Sequence, residues 1–271
     1  MYCSFDVAGV RQYIEEHKPQ IVVMCGAGIS VASGIPDFRS ENGLYSQIRD
    51  PQTLLSLNYY CNVSPLPVLE LVKSVSRESE PSLVHSFLKK LHDRQLLLRV
   101  YTQNIDGLEQ KAGVPRERIV QVHGTLESAT CVRCKTSYSG EYVRHAVSQS
   151  KVPMCCEYKY NNKNDGTGEC GALVKPDICL FGESLSKEFE CLYESDFAKC
   201  ELLIVIGTSL KVEPFASLIK KVSKRTPRVL INNEYVGTTH KKWEKGHFEF
   251  AKKERDVALI GDCQSIVLEL L

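Results

Sequence analysis

Five short apolar runs, each stopping abruptly in polar residues, constrain the fold of this chain more than any other feature. Ile21–Cys25 leads into Gly26-Ala27-Gly28, and Leu96–Tyr101 into Thr102-Gln103-Asn104-Ile105-Asp106. Ile119–Val122 leads into His123-Gly124, Leu202–Ile206 into Gly207-Thr208-Ser209, and Val229–Ile231 into Asn232. Near-continuous hydrophobic strands suit a parallel sheet covered on both faces. Helical patterns lie between them, as at Ser82–Arg94 and Pro214–Lys224. The alternation predicts a doubly wound α/β domain. In such sheets ligands bind beyond the carboxyl ends of the strands, so the polar clusters are expected to converge.

Two stretches interrupt the alternation. Glu41–Pro81 has helical segments broken by Pro51, Pro65 and Pro67, and Thr125–Gly171 is polar and rich in cysteine. Both read as excursions from the sheet that together form a smaller domain. Residues 1–40, 82–124 and 172–271 then form the sheet domain, with 41–81 as a helical module and 125–171 as a cysteine-bearing one. Glu157–Glu169, full of Asn, Gly and charge, reads as an exposed loop.

The stretch after the first strand, GAGISVASGIPDFRS at 26–40, carries the most chemistry. A strand running into Gly-Ala-Gly lets backbone amides approach a phosphate closely. The dinucleotide fingerprint G-x-G-x-x-G is incomplete, because Val31 holds the third glycine position. Asp37, Phe38 and Arg39 then add a carboxylate, a ring and a guanidinium, a cluster that hydride transfer alone does not need.

Composition excludes several classes. A net charge of +1 gives no electrostatic reason to expect nucleic acid. No apolar run approaches the ~18 residues of a membrane span. The first eighteen residues lack a signal-peptide core, carry acids and read as an amphipathic helix. An intracellular, soluble and monomeric protein is expected, with cytoplasm, nucleus and mitochondrial matrix undistinguished. The twelve cysteines are therefore not read as a disulfide framework.

Cys131-Val-Arg-Cys134 has the spacing of a zinc knuckle. Cys170-Gly171 resembles the end of a second knuckle, whose first cysteine is Cys155 or Cys156 across an insertion. His145 is a further possible ligand. Four cysteine ligands leave no open position, so the site reads as structural.

At the strand ends His123 offers an imidazole whose ordinary pKa near ~6.5 suits a base at neutral pH. Gln103, Asn104 and Asp106 beside it suit ribose hydroxyls, and Gly207-Thr208-Ser209 suits phosphate or ribose. No G-x-S-x-G nucleophile and no H-E-x-x-H appear.

GAGISVASGIPDFRS, YTQNIDGLE, VHGT, C-x-x-C, VKPDI followed by FGE, and GTSLKVEPFASL stand here in one order. In that set the chain resembles the sirtuins, NAD-dependent protein lysine deacylases, over about Asp6 to Cys263. It is most similar to the class I type, near the mitochondrial and cytoplasmic animal deacetylases. The resemblance implies a Rossmann-type large domain and a small domain of helical module and zinc ribbon, with NAD and acyl-lysine meeting between them. It assigns Gly26, Ala27, Gly28 and Ser30 to the pyrophosphate, and Asp37, Phe38 and Arg39 to the nicotinamide ribose. Gln103, Asn104, Ile105 and Asp106 would form the nicotinamide and ribose pocket. Gly207, Thr208, Ser209, Asn232 and Glu234 would line the adenosine side, with Cys263 near adenine. His123 would be the general base, with Asn104 also catalytic. Val174, Phe181, Gly182, Glu183, Val212 and Glu213 would flank an acetylated protein or peptide. Because Pro153-Met154 precedes it, Cys155 matches the family's second knuckle, giving Cys131, Cys134, Cys155 and Cys170 as zinc ligands. In the implied reaction the acyl oxygen attacks C1′ of the nicotinamide ribose and nicotinamide leaves. His123 then helps a ribose hydroxyl attack the imidate carbon, and water completes release of lysine and O-acetyl-ADP-ribose.

Three departures from the family pattern stand out. They are the interrupted second knuckle, Cys179-Leu180 where Val-Phe is common, and Gln264 where an acid is common. Gly43-Leu44-Tyr45-Ser46-Gln47-Ile48-Arg49 resembles the deacetylase pattern, so neutral acyl groups, acetyl first, are expected over succinyl or malonyl. Mono-ADP-ribosyl transfer and a silent NAD-sensing or zinc-ribbon binding module are the competing readings.

Overall fold

The computed structural model of the chain describes residues 6–38, 40, 43–44, 49–76, 78–161, 166–239, 247–252 and 254–270. Among them are eleven strands: β1 Ile21–Cys25, β2 Leu97–Thr102, β3 Ile119–Gln121, β4 Gly124–Cys131, β5 Ser137–Ser139 and β6 Tyr158–Asn161. β7 Gly166–Glu169, β8 Val174–Ile178, β9 Leu202–Ile206, β10 Arg228–Asn232 and β11 Asp256–Ile260 follow.

Six strands form one sheet in the order β11-β10-β9-β1-β2-β3, and its described pairings are all parallel. The chain lays down β1, β2 and β3 to one side of the middle and β9, β10 and β11 to the other. The strand order therefore reverses between β1 and β9, the place where a doubly wound sheet opens a crevice. Side chains alternate along β1 between two apolar layers. Ile21, Val23 and Cys25 pack with residues of the helices Val7–His17, Leu83–Asp93 and Cys263–Glu269. Val22 and Met24 pack with the helix Lys187–Lys199 and the turn Phe215–Lys220. The doubly wound expectation holds.

Details differ from the sequence reading. β11 is a sixth strand, absent from the five runs. Pro214–Lys224 is a 3-10 turn over Phe215–Lys220 rather than an α-helix, held by bonds such as Ser217 N–H to Pro214 O. Phe215, Leu218 and Ile219 still bury from one side. The prolines of 51–67 open helices instead of breaking them. Pro51 is the first residue of Pro51–Leu54, and Pro65 and Pro67 begin Leu66–Val75. Proline lacks an N–H, and the first helical turn needs none.

Between β3 and β9 the chain builds a second unit. β5, β4 and β8 form an antiparallel sheet. Tyr60, Val68, Leu69 and Val72 from the helices at 57–75 share one apolar cluster with Ala129, Val143 and Val174. The strand Val174–Ile178 belongs to this sheet, so the expected return to the large sheet at 172 comes later, after β8. Within Glu157–Glu169, expected as an exposed loop, β6 and β7 pair antiparallel, Tyr158 opposite Glu169.

Candidate active site

Register brings the strand ends together. Cys25 stands beside Thr102 on one side and Ile206 on the other, and Thr102 beside Gln121. The segments that follow these four residues therefore leave the sheet side by side, as expected.

The two glycine loops touch. Gly28 N–H donates to Gly207 O at 2.9 Å and Gly26 N–H to Ile206 O at 3.3 Å. A Cβ on Gly28 would sit 2.8 Å from both the Cα and the carbonyl oxygen of Gly207. These glycines let two backbones approach, a requirement separate from any phosphate. Ile29 and Ser30 N–H groups close turns onto Gly26 and Ala27. Of the amides at 26–30, only that of Ala27 lacks a backbone acceptor among the described residues.

Beneath this loop Asn104 Nδ2 donates to Gly26 O and to Ser30 Oγ, each at 3.2 Å. Ser30 Oγ–H donates to Asp106 at 2.7 Å, and Leu108 N–H donates to the other Asp106 oxygen at 3.0 Å. Asn104 and Ser30 are buried, the latter 1% exposed. Thr208 Oγ1–H donates to Gln103 Oε1 at 2.7 Å, tying the β2 and β9 loops together.

His123 follows β3 and is half-buried. Its Nδ1 lies 3.2 Å from Gln103 O, an acceptor only, so Nδ1 carries the hydrogen and Nε2 its lone pair. Burial lowers the His123 pKa below the ordinary imidazole value, and the bond to Gln103 O partly opposes this. The ring is thus neutral at pH 7, with Nε2 able to accept a proton. Cys179 N–H donates to His123 O at 2.8 Å, so β8 and the base are joined by backbone.

In the second unit the sulfurs of Cys131, Cys134, Cys155 and Cys170 lie within 4.8 Å of one another. Cys131 and Cys170 Sγ are 3.7 Å apart, and Cys134 and Cys155 Sγ 3.5 Å. Thiolates about 2.3 Å from a tetrahedral zinc have sulfurs roughly 3.8 Å apart, so the four thiols fit that ion. Cys156 is exposed and outside the cluster, as is His145.

A family model described as Sir2 family matches residues 26–214, well over half of the chain. The chain belongs to the Sir2 family. Among curated relatives it is 45% identical to the NAD-dependent deacetylase sir2A of Dictyostelium discoideum, over 97% of this chain and 50% of that one. It is 42% identical to the NAD-dependent protein deacetylase sirtuin-3 of Mus musculus, over 90% of this chain and 68% of that protein. For the NAD-dependent protein deacetylase hst2 of Schizosaccharomyces pombe the identity is 38%, over 96% and 74%. The chain spans half the length of the first of these.

In this Sir2-family chain the remaining expected site residues divide. Asp37 and Phe38 are half-buried at the end of the 26–38 loop, where Asp37 accepts from Ser40 N–H at 2.8 Å. Arg39 lies outside the described residues, as do Tyr45, Ser46, Gln47 and Ile48. Ile105 packs against the apolar cluster of the second unit. Asn232 ends β10 and donates to Glu234 O, while the Glu234 side chain is exposed. Cys263 Sγ lies 3.9 Å from Gly28 O, and Ser209 is half-buried beside Thr208.

The Val174 side chain is fully buried, opposite Cys131. Glu183 holds its own loop, with its carboxylate 3.0 Å from Lys175 Nζ and accepting from Leu180 N–H at 2.9 Å. Phe181 and Gly182 line a groove of 580 Å³ with Ser56, Leu57 and Asn58. Val212 is half-buried, and Glu213 is exposed and caps Ser217.

Sequence reasoning missed Gln264 as a bracket. Its Oε1 accepts from Val84 N–H at 3.2 Å and its Nε2 donates to Ile29 O at 3.5 Å. An acid could make only the first bond. It also missed Glu109 and His85, which read as ordinary helix residues.

Proposed function

We propose that this chain is an NAD-dependent protein lysine deacetylase. The observation that carries the reading is His123: a neutral imidazole with its Nε2 lone pair available, at a strand end beside the two interlocked glycine loops. Family membership supports it, and so do the printed activities of the relatives.

NAD, when bound, supplies an electrophilic C1′ and a ribose hydroxyl as acyl acceptor. The chain's own groups do the rest. The Ala27 amide remains for phosphate, while Gly26, Gly28 and Ser30 shape the loop that presents it. Asp37 and Phe38 cover the ribose, where the family resemblance also assigns Arg39, and Gln103, Asn104, Ile105 and Asp106 form the nicotinamide pocket. Gly207, Thr208, Ser209, Asn232, Glu234 and Cys263 lie toward the adenosine. His123 Nε2 takes a proton from the ribose hydroxyl, and Gln103 O steadies the imidazolium that results. Phe181, Gly182, Val212 and Glu213 flank the acetylated protein or peptide, and Glu183 fixes the loop beneath it. Zinc on Cys131, Cys134, Cys155 and Cys170 is structural. We read a single chain as the working unit, with no nucleic acid.

Incubation with NAD and an acetyl-lysine peptide tests this. The expected products are free lysine, nicotinamide and O-acetyl-ADP-ribose. Labelled protein instead would mean ADP-ribosyl transfer, and no product a binding module.

Acetyl is the preferred acyl group. A buried acidic acyl chain needs a paired cation, and Arg49 is exposed beside Asp50. Side-by-side kinetics on acetyl- and succinyl-lysine versions of one peptide check this. A higher kcat/KM for succinyl, lost in Arg49→Met, would overturn it.

A further inference from the structure

Under the strand-end loops lies a cluster of which the proposed reaction uses only Asp106. A ring nitrogen of His85 and carboxylate oxygens of Asp106 and Glu109 lie within 4.8 Å of one another. His85 is fully buried and Glu109 is 1% exposed. His85 Nε2, also buried, makes no hydrogen bond among the described residues.

The tautomer of His85 is fixed by the helix it opens. Its Nδ1 accepts from the Ser82 amide at 3.0 Å, and the Ser82 hydroxyl lies within hydrogen-bond distance of Ile29 O, at 2.8 Å. A ring nitrogen that accepts a backbone N–H carries no proton, so the neutral ring has its hydrogen on Nε2. A metal ion on Nε2 would need that nitrogen bare as well, leaving an imidazolate. The cluster therefore suits a proton rather than a cation.

The two carboxyls differ in what donates to them. Asp106 receives the Ser30 hydroxyl and the Leu108 amide, both of which favour its charge. Glu109 is more enclosed; the Thr102 side chain and the Cys25 thiol, 3.7 Å away, also donate to it and favour its charge, but burial outweighs them. A buried carboxyl and a half-buried one this close resist holding two charges at once. Burial raises Asp106 too, against its two donors. Burial first, then the charge of Asp106, pushes Glu109 up to about 7. The other titratable groups here are Cys25 from β1, kept a thiol by burial, and His85, pushed down to about 4 by burial.

We propose that Glu109 is a positioning residue that carries one buried proton, leaving Asp106 as the single anion that holds Ser30 and Asn104 at the cofactor site. This rests on the reading above that Ser30, Asn104 and Asp106 form part of an NAD pocket. With the proton gone, a second carboxylate stands against Asp106, and the contact of Asp106 with Ser30 loosens.

Glu109→Gln is uncharged at every pH and mimics the protonated side chain. The first readout needs no ligand. A Glu raised from 4.5 to about 7 on folding contributes stability that is lost as pH rises between those values. The melting temperature of the parent should fall behind that of Glu109→Gln between pH 5 and pH 8. In the unmutated protein, the ¹³C carboxyl resonance of Glu109 should titrate near neutral. The second readout is ADP-ribose affinity, expected to weaken several-fold above neutral pH in the parent and to stay flat in Glu109→Gln. A Glu109 resonance titrating near pH 4.5, equal pH slopes in the two proteins, or a divalent ion bound at the cluster would each overturn the proposal. If ADP-ribose and NAD bind neither protein, the NAD reading fails, and the ligand-free measurements still locate the proton.

Discussion

Gly28 and Gly207 meet backbone to backbone, with no room between them for a methyl group. The neighbour is main chain on the opposite loop, which cannot swing aside as a flexible side chain could. Gly28→Ala should therefore overpack the junction and cost about 1–3 kcal/mol. The checkable outcome is a melting temperature several degrees lower together with weakened NAD binding. Full stability with normal binding would mean the loops separate without cost. At His123 the argument runs through the proton rather than through packing. His123→Ala leaves both glycine loops intact, so NAD binding should survive while turnover falls about 10²–10⁴-fold. In the unmutated protein, burial holds the ring neutral, so the base form persists below the ordinary imidazole pKa. The acid limb of the kcat/KM profile should accordingly lie below pH ~6.5. Turnover near that of the parent in His123→Ala removes the residue from the mechanism.

At the scale of elements, legibility followed the charge pattern. The five runs that became β1, β2, β3, β9 and β10 are almost wholly apolar, broken only by Arg99 in β2 and Gln121 in β3. β11 opens on Asp256 and so escapes a search for apolar runs, and β10 opens on Arg228, one residue before its apolar run begins. These two are register partners that neutralise each other, 2.6 Å apart and almost fully buried. Sequence shows two charges; only pairing makes them interior residues. Likewise Val174 reads as one residue of a motif beside the substrate, and antiparallel pairing with β4 buries its side chain. The zinc ligands are half-legible, since spacing leaves Cys155 and Cys156 open, and it is the backbone pairing of Cys155 with Ala172 and Gly171, next to the β-bridge of Met154 with Leu173, that sets Cys155 beside Cys170. Cys155→Ser should thus lose bound zinc and lower stability together, whereas Cys156→Ser should keep one zinc per chain. Zinc retained in the first and lost in the second would reverse the ligand choice.

One of the connections between the two units is a strand that begins beside the base and ends in the metal cluster. β4 starts at Gly124, next to His123, and ends at Cys131. Gly124 has φ +80, and a Cβ there would lie 2.1 Å from Asp177 O, so the junction admits little but glycine. β8 runs back alongside, from Val174 opposite Cys131 to Ile178 opposite Gly124, and Cys179 then bonds His123 O. The zinc cluster therefore anchors one end of a two-strand rod whose other end steadies the base. Structural zinc in small units is worth about 10–16 kcal/mol at pH 7. A whole domain's net stability is only about 5–15 kcal/mol. The small β5-β4-β8 sheet cannot be expected to hold its register once the metal is gone. Chelation should lower turnover in parallel with metal content and should melt the second unit before the parallel sheet, whose cores do not include the cysteine cluster. Adding zinc back should restore both. Hydrogen exchange read along β4 and β8 separates this from global unfolding: the two strands should lose protection while β1, β2 and β9 keep it. Full turnover in zinc-free protein would show that the base needs no support from the far end of the rod.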